Sequence, residues 1–319
     1  MTSRNKRLLH LAFGVLGAVV VGMLVVRAGP AQMADALRRA GPWLPVLSLL
    51  ELGIVVLNAL GLASLYAASG APRLGAELWR ASFRAQLFAV AAPAGRLVAE
   101  TFRAQQLSGR AGRARAAAAA AWMTALVLIA NALIAIPTMI SMASIEGATW
   151  PTFAVAAYCV VTFTVGGAVV FTGRARLGRW LARRIPIARE AGPAFDDAFA
   201  AQVPGVGRAL LLELATRGLL ICEILLLRHA VGASADVVSG LATTGLILAG
   251  AAAGDFIPAQ LGATDGPVSL SAGSLGMRRG AGIALTLGLH AVQLCVGVGG
   301  ALLASLILRP GRAVPVESS

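Results

Sequence analysis

Residues 91–110 read AAPAGRLVAETFRAQQLSGR, and this stretch decides how the chain is built. It closes an apolar run, Leu87 to Ala92, with a proline and a glycine, and then brings in Arg96, Glu100 and Arg103. Pro93 has no N–H and Gly95 tolerates unusual backbone angles, so together they end one helix and let another begin near Arg96 and Leu97. Arg96 precedes Glu100 by four residues and Glu100 precedes Arg103 by three, which places all three on one face of the second helix.

The surroundings make those charges expensive. Of the 319 residues, 58% are hydrophobic and only 13% charged, where a soluble domain carries about a quarter charged. The chain reads as an all-α polytopic membrane protein, and charge kept at membrane depth points to a task. The net charge of +13 is not a nucleic-acid footprint, because aromatics are only 5% and no basic stripe interleaves with them. No nucleic-acid partner is expected. Lys6 is the only lysine, and the Ala, Gly and Arg usage suits a GC-rich bacterial genome. Cys159, Cys222 and Cys295 each sit inside an apolar run, so neither a disulfide framework nor a metal knuckle follows.

Runs of about 20 apolar residues cross a bilayer, and six candidates stand out: 8–26, 43–68, 117–143, 151–172, 208–231 and 281–308. The first has the basic start of a signal peptide but a longer apolar stretch, and reads as a retained anchor helix. Residues 32–40, QMADALRRA, form an interfacial amphipathic segment. Two further apolar pieces, 80–92 and 237–253, are too short to span. Each runs into a Pro/Gly break, PAG at 93–95 and GDFIPAQLG at 254–262, followed by a second short helical piece. The residues marking these breaks are Pro93, Gly95, Pro258, Gly262 and Gly266.

Arginine distribution orients the spans. With Arg4, Lys6 and Arg7 in the cytoplasm, the 144–150 loop, which has no basic residue, lies outside. The segment 172–190, with Arg174, Arg176, Arg179, Arg183, Arg184 and Arg189, lies inside. This agreement requires each broken piece to enter and leave on one side. The expected architecture is therefore one membrane domain over 1–319. Its first half, 1–172, holds a re-entrant hairpin at 80–109, a basic cytoplasmic linker covers 173–207, and its second half, 208–308, holds a re-entrant hairpin at 237–278. Both termini are cytoplasmic, and the order of elements is that of an inverted repeat, in which broken helices meet near the midplane and turn their N-termini to an anionic group.

On this layout Arg96 and Arg103 line a polar vestibule for a phosphate or carboxylate, with Glu100 fixing their rotamers. The alternative is an Arg-Glu-Arg ladder that snorkels at the interface. Asp255, Gln260, Thr264 and Asp265 make the second break polar, and an external loop would look similar. Gly250 and Gly254 read as packing. Glu51 and Asn58 share an inward face, Glu213 and Arg217 have ion-pair spacing, and Glu223 lies mid-span. Asn131, His290 and Gln293 are isolated polar groups, the first and last suited to interhelical hydrogen bonds. His10, His229 and His290 are too scattered for a zinc site, and no nucleophile elbow, P-loop or paired intramembrane aspartate occurs. Neither an enzyme nor a cofactor is expected.

The segment APAGRLVAETFRAQQLSG resembles the P-x-G-x-x-x-x-E-x-x-R-x-x-x-L segment of the flippase-like membrane domain found in lysylphosphatidylglycerol synthases and in stand-alone bacterial proteins, matched by Pro93, Gly95, Glu100, Arg103 and Leu107. IPAQLGATDG resembles the second break of that family, with Asp265 near the place of the family's Glu, while Ala99 stands where the family commonly has Gly. The resemblance implies two re-entrant hairpins and movement of lipid between leaflets of the bacterial inner membrane. Some stand-alone relatives are associated with hopanoid biosynthesis. Only RPGRAVPVESS follows Leu308, so lipid aminoacylation is not expected. The expected substrate is a phospholipid or hopanoid-type lipid. Arg96, Glu100, Arg103 and Arg217 would sit at its headgroup, and Glu223 and Asp265 would line the opposite half. The alternative function is a non-transporting subunit that recruits or stabilises a lipid-biosynthetic complex, with those enzymes as partners.

Overall fold

A computed structural model of the chain describes residues 30–72, 74–184, 189–257, 260 and 262–307, and the regular elements among them are all helical. The expected span 8–26 and Pro258 lie outside the described residues. Helix α1 (Pro30–Ala40) leads through a 3-10 turn at Gly41–Trp43 into α2 (Leu44–Ala68). There follow α3 (Gly75–Ala91), α4 (Gly95–Ala111), α5 (Arg113–Glu146), α6 (Trp150–Arg174), α7 (Leu177–Arg184) and α8 (Ala191–Ala201). The second half contains α9 (Val203–Ala230), α10 (Val237–Ala253), α11 (Asp265–Leu270) and α12 (Arg279–Ile307).

Among the described residues, four segments are long and apolar enough to cross a membrane: Arg38–Ala68, Arg113–Glu146, Trp150–Arg174 and Arg279–Ile307. Even the shortest, 25 residues, is about 37 Å long, against a hydrocarbon core of about 30 Å. The chain is a multi-pass membrane protein by this measure. Leu49, Phe153, Phe171 and Leu306 stand exposed on these helices with no protein against them, as lipid-facing side chains do. The segment expected at 208–231 departs from the pattern. It forms the 28-residue α9, but Arg208, Glu213, Arg217, Glu223 and Arg228 take it out of the apolar class. Glu213, Arg217, Glu223 and Arg228 are enclosed by other helices, so apolar residues are not required there, while Arg208 stands exposed near the start of the helix.

Helices α2 and α9 form the centre, in mutual contact along their length and antiparallel. Glycine sets the approach: a Cβ on Gly205 would lie 2.5 Å from the Ser64 carbonyl oxygen, Gly61 faces Ala209, and Gly53 faces Leu219. Around this pair, α5 packs along α6, α3 packs on α12, and α10 packs on α5.

Side-chain contacts mark two ends of the bundle. At one, Arg110 pairs with Glu77 at 3.1 Å and Gln202 Nε2 donates to the Arg115 carbonyl at 3.0 Å. At the other, Ser274 donates to Glu146, and Trp43 meets His229 edge-on with ring centroids 5.3 Å apart.

Two expected segments contain more helix than apolar length indicates. Helix α3 begins at Gly75 rather than near residue 80, because its first turns carry Glu77, Arg80 and Arg84 on an amphipathic surface that an apolar scan passes over. The expected linker 173–207 holds α7, α8 and the start of α9. Phe199 stacks on Trp122 of α5 at 4.2 Å and its carbonyl accepts from Trp122 Nε1 at 3.0 Å. Gly178 and Gly192 let α7 and α8 cross in close backbone contact, and the Asp196 carboxylate accepts from the N–H groups of Gly178 and Arg179.

Candidate functional site

The turn between α3 and α4 fixes the site. Ala94 adopts left-handed angles, φ 50°, a conformation that costs a residue with a Cβ. Gly95 then starts α4 pressed against the end of α3, where a Cβ would sit 2.3 Å from the Ala89 carbonyl oxygen. The N–H of Ala94 is left pointing out of the turn, and it donates to the carbonyl of Asp255 at 2.5 Å. The two Pro/Gly breaks, 161 positions apart by residue number, thus meet each other (Asp255 against Ala94).

Helix α4 carries its charged face from this junction into the bundle. Glu100 and Arg103 are both buried, and Arg103 Nη1 lies 3.5 Å from Glu100 Oε1. The same nitrogen donates to Asn58 Oδ1 on α2 at 2.8 Å. From α9, Glu213 and Arg217 approach with a separation of 3.7 Å, both buried. Arg96, partly buried, lies within electrostatic reach of Arg217, Glu213, Glu100, Arg103 and Asp255. Tyr66 of α2 lies near Glu100 and Arg103, and Tyr158 of α6 near Arg217 and Arg96.

The cluster is under-satisfied. Arg96 Nε, Arg103 Nε, Arg217 Nε and Nη2, Glu100 Oε2 and both Glu213 oxygens are enclosed yet have no hydrogen-bond partner among the described residues. Buried polar atoms are nearly always paired with protein, water or ligand, since each orphan costs about 1–3 kcal/mol. Four guanidinium nitrogens and three carboxylate oxygens are thus left open in one cluster, and open guanidinium nitrogens suit an anion with several acceptor oxygens.

Of the expected site residues, Arg96, Glu100, Arg103 and Arg217 come together, joined by Glu213 and Asn58. Glu223 does not join them. It lies within electrostatic reach of Glu51 of α2, whose Oε1 accepts from Gln86 Nε2 of α3 at 2.7 Å. Asp265 also lies apart: its Oδ2 accepts from the N–H of Gly262 at 2.7 Å, closing the second break on itself. Beside it, Thr264 Oγ1 and His290 Nε2 are 3.0 Å apart. Gly262 has the positive φ, 81°, that a break requires. Gly266 is the second residue of α11, with no positive φ and open space where a Cβ would be. Gly250 and Gly254 pack, but against the returning loop, since a Cβ on Gly250 would lie 2.5 Å from the Ala263 carbonyl oxygen.

Sequence reasoning passed over Gln86, hidden in the amphipathic α3, and Arg228. The latter is fully buried and donates from Nε to the Ser234 carbonyl at 2.9 Å, from Nη1 to Thr243 Oγ1 at 2.8 Å, and from Nη2 to the Leu275 carbonyl at 2.8 Å. Its spacing from Arg217, three helical turns, was the available signal. No family model matches the chain, nor does any curated protein or solved structure.

Proposed function

We propose that this protein is a lipid translocase, or a lipid-transport component, of the bacterial inner membrane, moving a phospholipid or hopanoid-type amphipathic lipid between leaflets. The observation that carries the reading is the group of Arg103 and Arg217, both buried, with the partly buried Arg96, each of which keeps at least one enclosed guanidinium nitrogen without a hydrogen-bond partner among the described residues. An anionic headgroup supplies the missing acceptors while its tails remain in lipid. Arg96 and Arg103 hold it, Glu100 and Asn58 orient Arg103, and Arg217 closes the site from α9. Nothing in this reaction requires a covalent step or a cofactor.

In the same reading, α3–α4 and α10–α11 are re-entrant hairpins of an inverted repeat, entering from opposite faces. The packing supports it: exchanging the halves exchanges α2 with α9, α3 with α10 and α5 with α12, and the contact of α3 with α12 then corresponds to that of α10 with α5. The similarity of residues 93–107 to the flippase-like domain of lysylphosphatidylglycerol synthases supports the same assignment. Both chain ends are then cytoplasmic.

The test is transfer of a labelled anionic phospholipid across reconstituted vesicles. Arg103→Ala abolishes it while expression, insertion and monodispersity are kept, and unchanged transfer rejects the site. Single cysteines through 93–103 and 255–266, labelled from each side of the membrane, test the hairpins. A segment whose two flanks label from opposite sides spans the bilayer and rejects the repeat.

A further inference from the structure

Glu51 and Glu223 form a second buried polar site, separate from the arginines. The α2–α9 register brings them together. Ser64 lies against Gly205, Gly61 against Ala209 and Gly53 against Leu219, so Glu51, two residues beyond Gly53, lies level with residue 221, half a turn from Glu223 and within electrostatic reach of it. Glu51 is 1% exposed and Glu223 0%. One of their four carboxylate oxygens, Glu51 Oε1, accepts from Gln86 Nε2. The other three, Glu51 Oε2 and both Glu223 oxygens, have no hydrogen-bond partner among the described residues.

The groups facing the pair do not neutralise it. Helix α3 contributes the uncharged Gln86. On α9 the nearby cation is Arg217, which acts on Glu51 but is engaged with Glu213 at 3.7 Å. On α12 the titratable group is His290, which faces Thr264 and Asp265 instead. Two ionised carboxylates held together in a dry interior repel without compensation, whereas a single proton between them turns one into a donor and the other into its acceptor.

We infer that Glu51 and Glu223 constitute a proton-binding site that holds one shared proton at neutral pH. The proton sits between the Glu223 carboxyl and Glu51 Oε2, with Gln86 fixing the other Glu51 oxygen. It leaves only when water reaches the α2–α9 interface, so its release reports opening of that interface. The inference deepens the transport reading by naming a second ligand, the proton, and its test needs no lipid transfer.

The experiment is infrared spectroscopy of the full chain in phospholipid nanodiscs at neutral pH. The wild type shows the carbonyl stretch of a protonated carboxylic acid, identified by its downshift in D2O. Glu223→Gln supplies an amide N–H in place of the proton and removes the band, as does Glu51→Gln, while Glu146→Gln, at the bundle end, leaves it intact. Absence of a D2O-sensitive band in the wild type overturns the inference whatever the variants do. So does a band that survives in both glutamine variants, or one that disappears when choline in the buffer is replaced by sodium. A present band with no lipid transfer leaves the proton site standing and rejects only the transport reading.

Discussion

The N–H of Ala94 donates to the carbonyl of Asp255 at 2.5 Å, joining the turn after α3 to the turn after α10. Non-helical backbone at membrane depth survives only where protein or water satisfies it. Each break here satisfies part of the other, and Arg96, two residues after Ala94, lies within electrostatic reach of Asp255.

Gly95 is held by contact rather than by angle. Gly95→Ala would set a methyl 2.3 Å from the Ala89 carbonyl oxygen, forcing the turn open at a cost of about 1–3 kcal/mol. Gly266→Ala meets open space inside a helix and is expected to be neutral or to stabilise by up to about 1 kcal/mol. Thermal unfolding in detergent distinguishes the two.

Arg228 is a structural cation with neutral acceptors on three segments. Arg228→Met leaves the Leu275 carbonyl and the Thr243 hydroxyl buried without their donor, a loss of about 2 kcal/mol or more. Arg228→Lys keeps one donor but not the planar fork, and falls between Met and wild type. The unfolding midpoints are expected in that order.

Asn58 and Arg103 act as a pair across α2 and α4, with 2.8 Å between Asn58 Oδ1 and Arg103 Nη1. A double-mutant cycle of Asn58→Ala and Arg103→Ala is expected to give a coupling of about 1–2 kcal/mol in unfolding free energy. A coupling near zero would show that Arg103 is positioned by Glu100 alone.

Asp236 gives the protein a pH dependence outside the membrane-spanning helices. It caps α10, accepting from the Ser239 N–H at 2.8 Å, and that hydrogen bond holds its carboxyl below the ordinary carboxylate range. Because the folded value is lowered, the stabilisation is present above the unfolded value and is lost as pH falls through the folded one. Asp236→Ala is expected to cost about 1 kcal/mol at neutral pH and nothing further in acid, so wild-type and variant unfolding curves converge at low pH.

Much of this was legible in the letters. Apolar length alone identified the helices now seen at Leu44–Ala68, Arg113–Glu146, Trp150–Arg174 and Arg279–Ile307, because a span must satisfy its own backbone in lipid. Pro93 with Gly95 placed the first break, and helical periodicity put Glu100 with Arg103 and Glu213 with Arg217. Those are local properties: they depend on φ, on a missing N–H and on 3.6 residues per turn. What lay beyond the sequence was every relationship between helices. The hydrophobic pattern does not say that α4 turns its charged face to α9, that Glu223 meets Glu51 rather than Arg217, or that Asp265 closes its own loop. The nearness of Glu51 to Glu223 follows from how closely α2 and α9 approach at Gly53, Gly61 and Gly205, and close packing in three dimensions, not order along the chain, chooses which buried charge finds which partner.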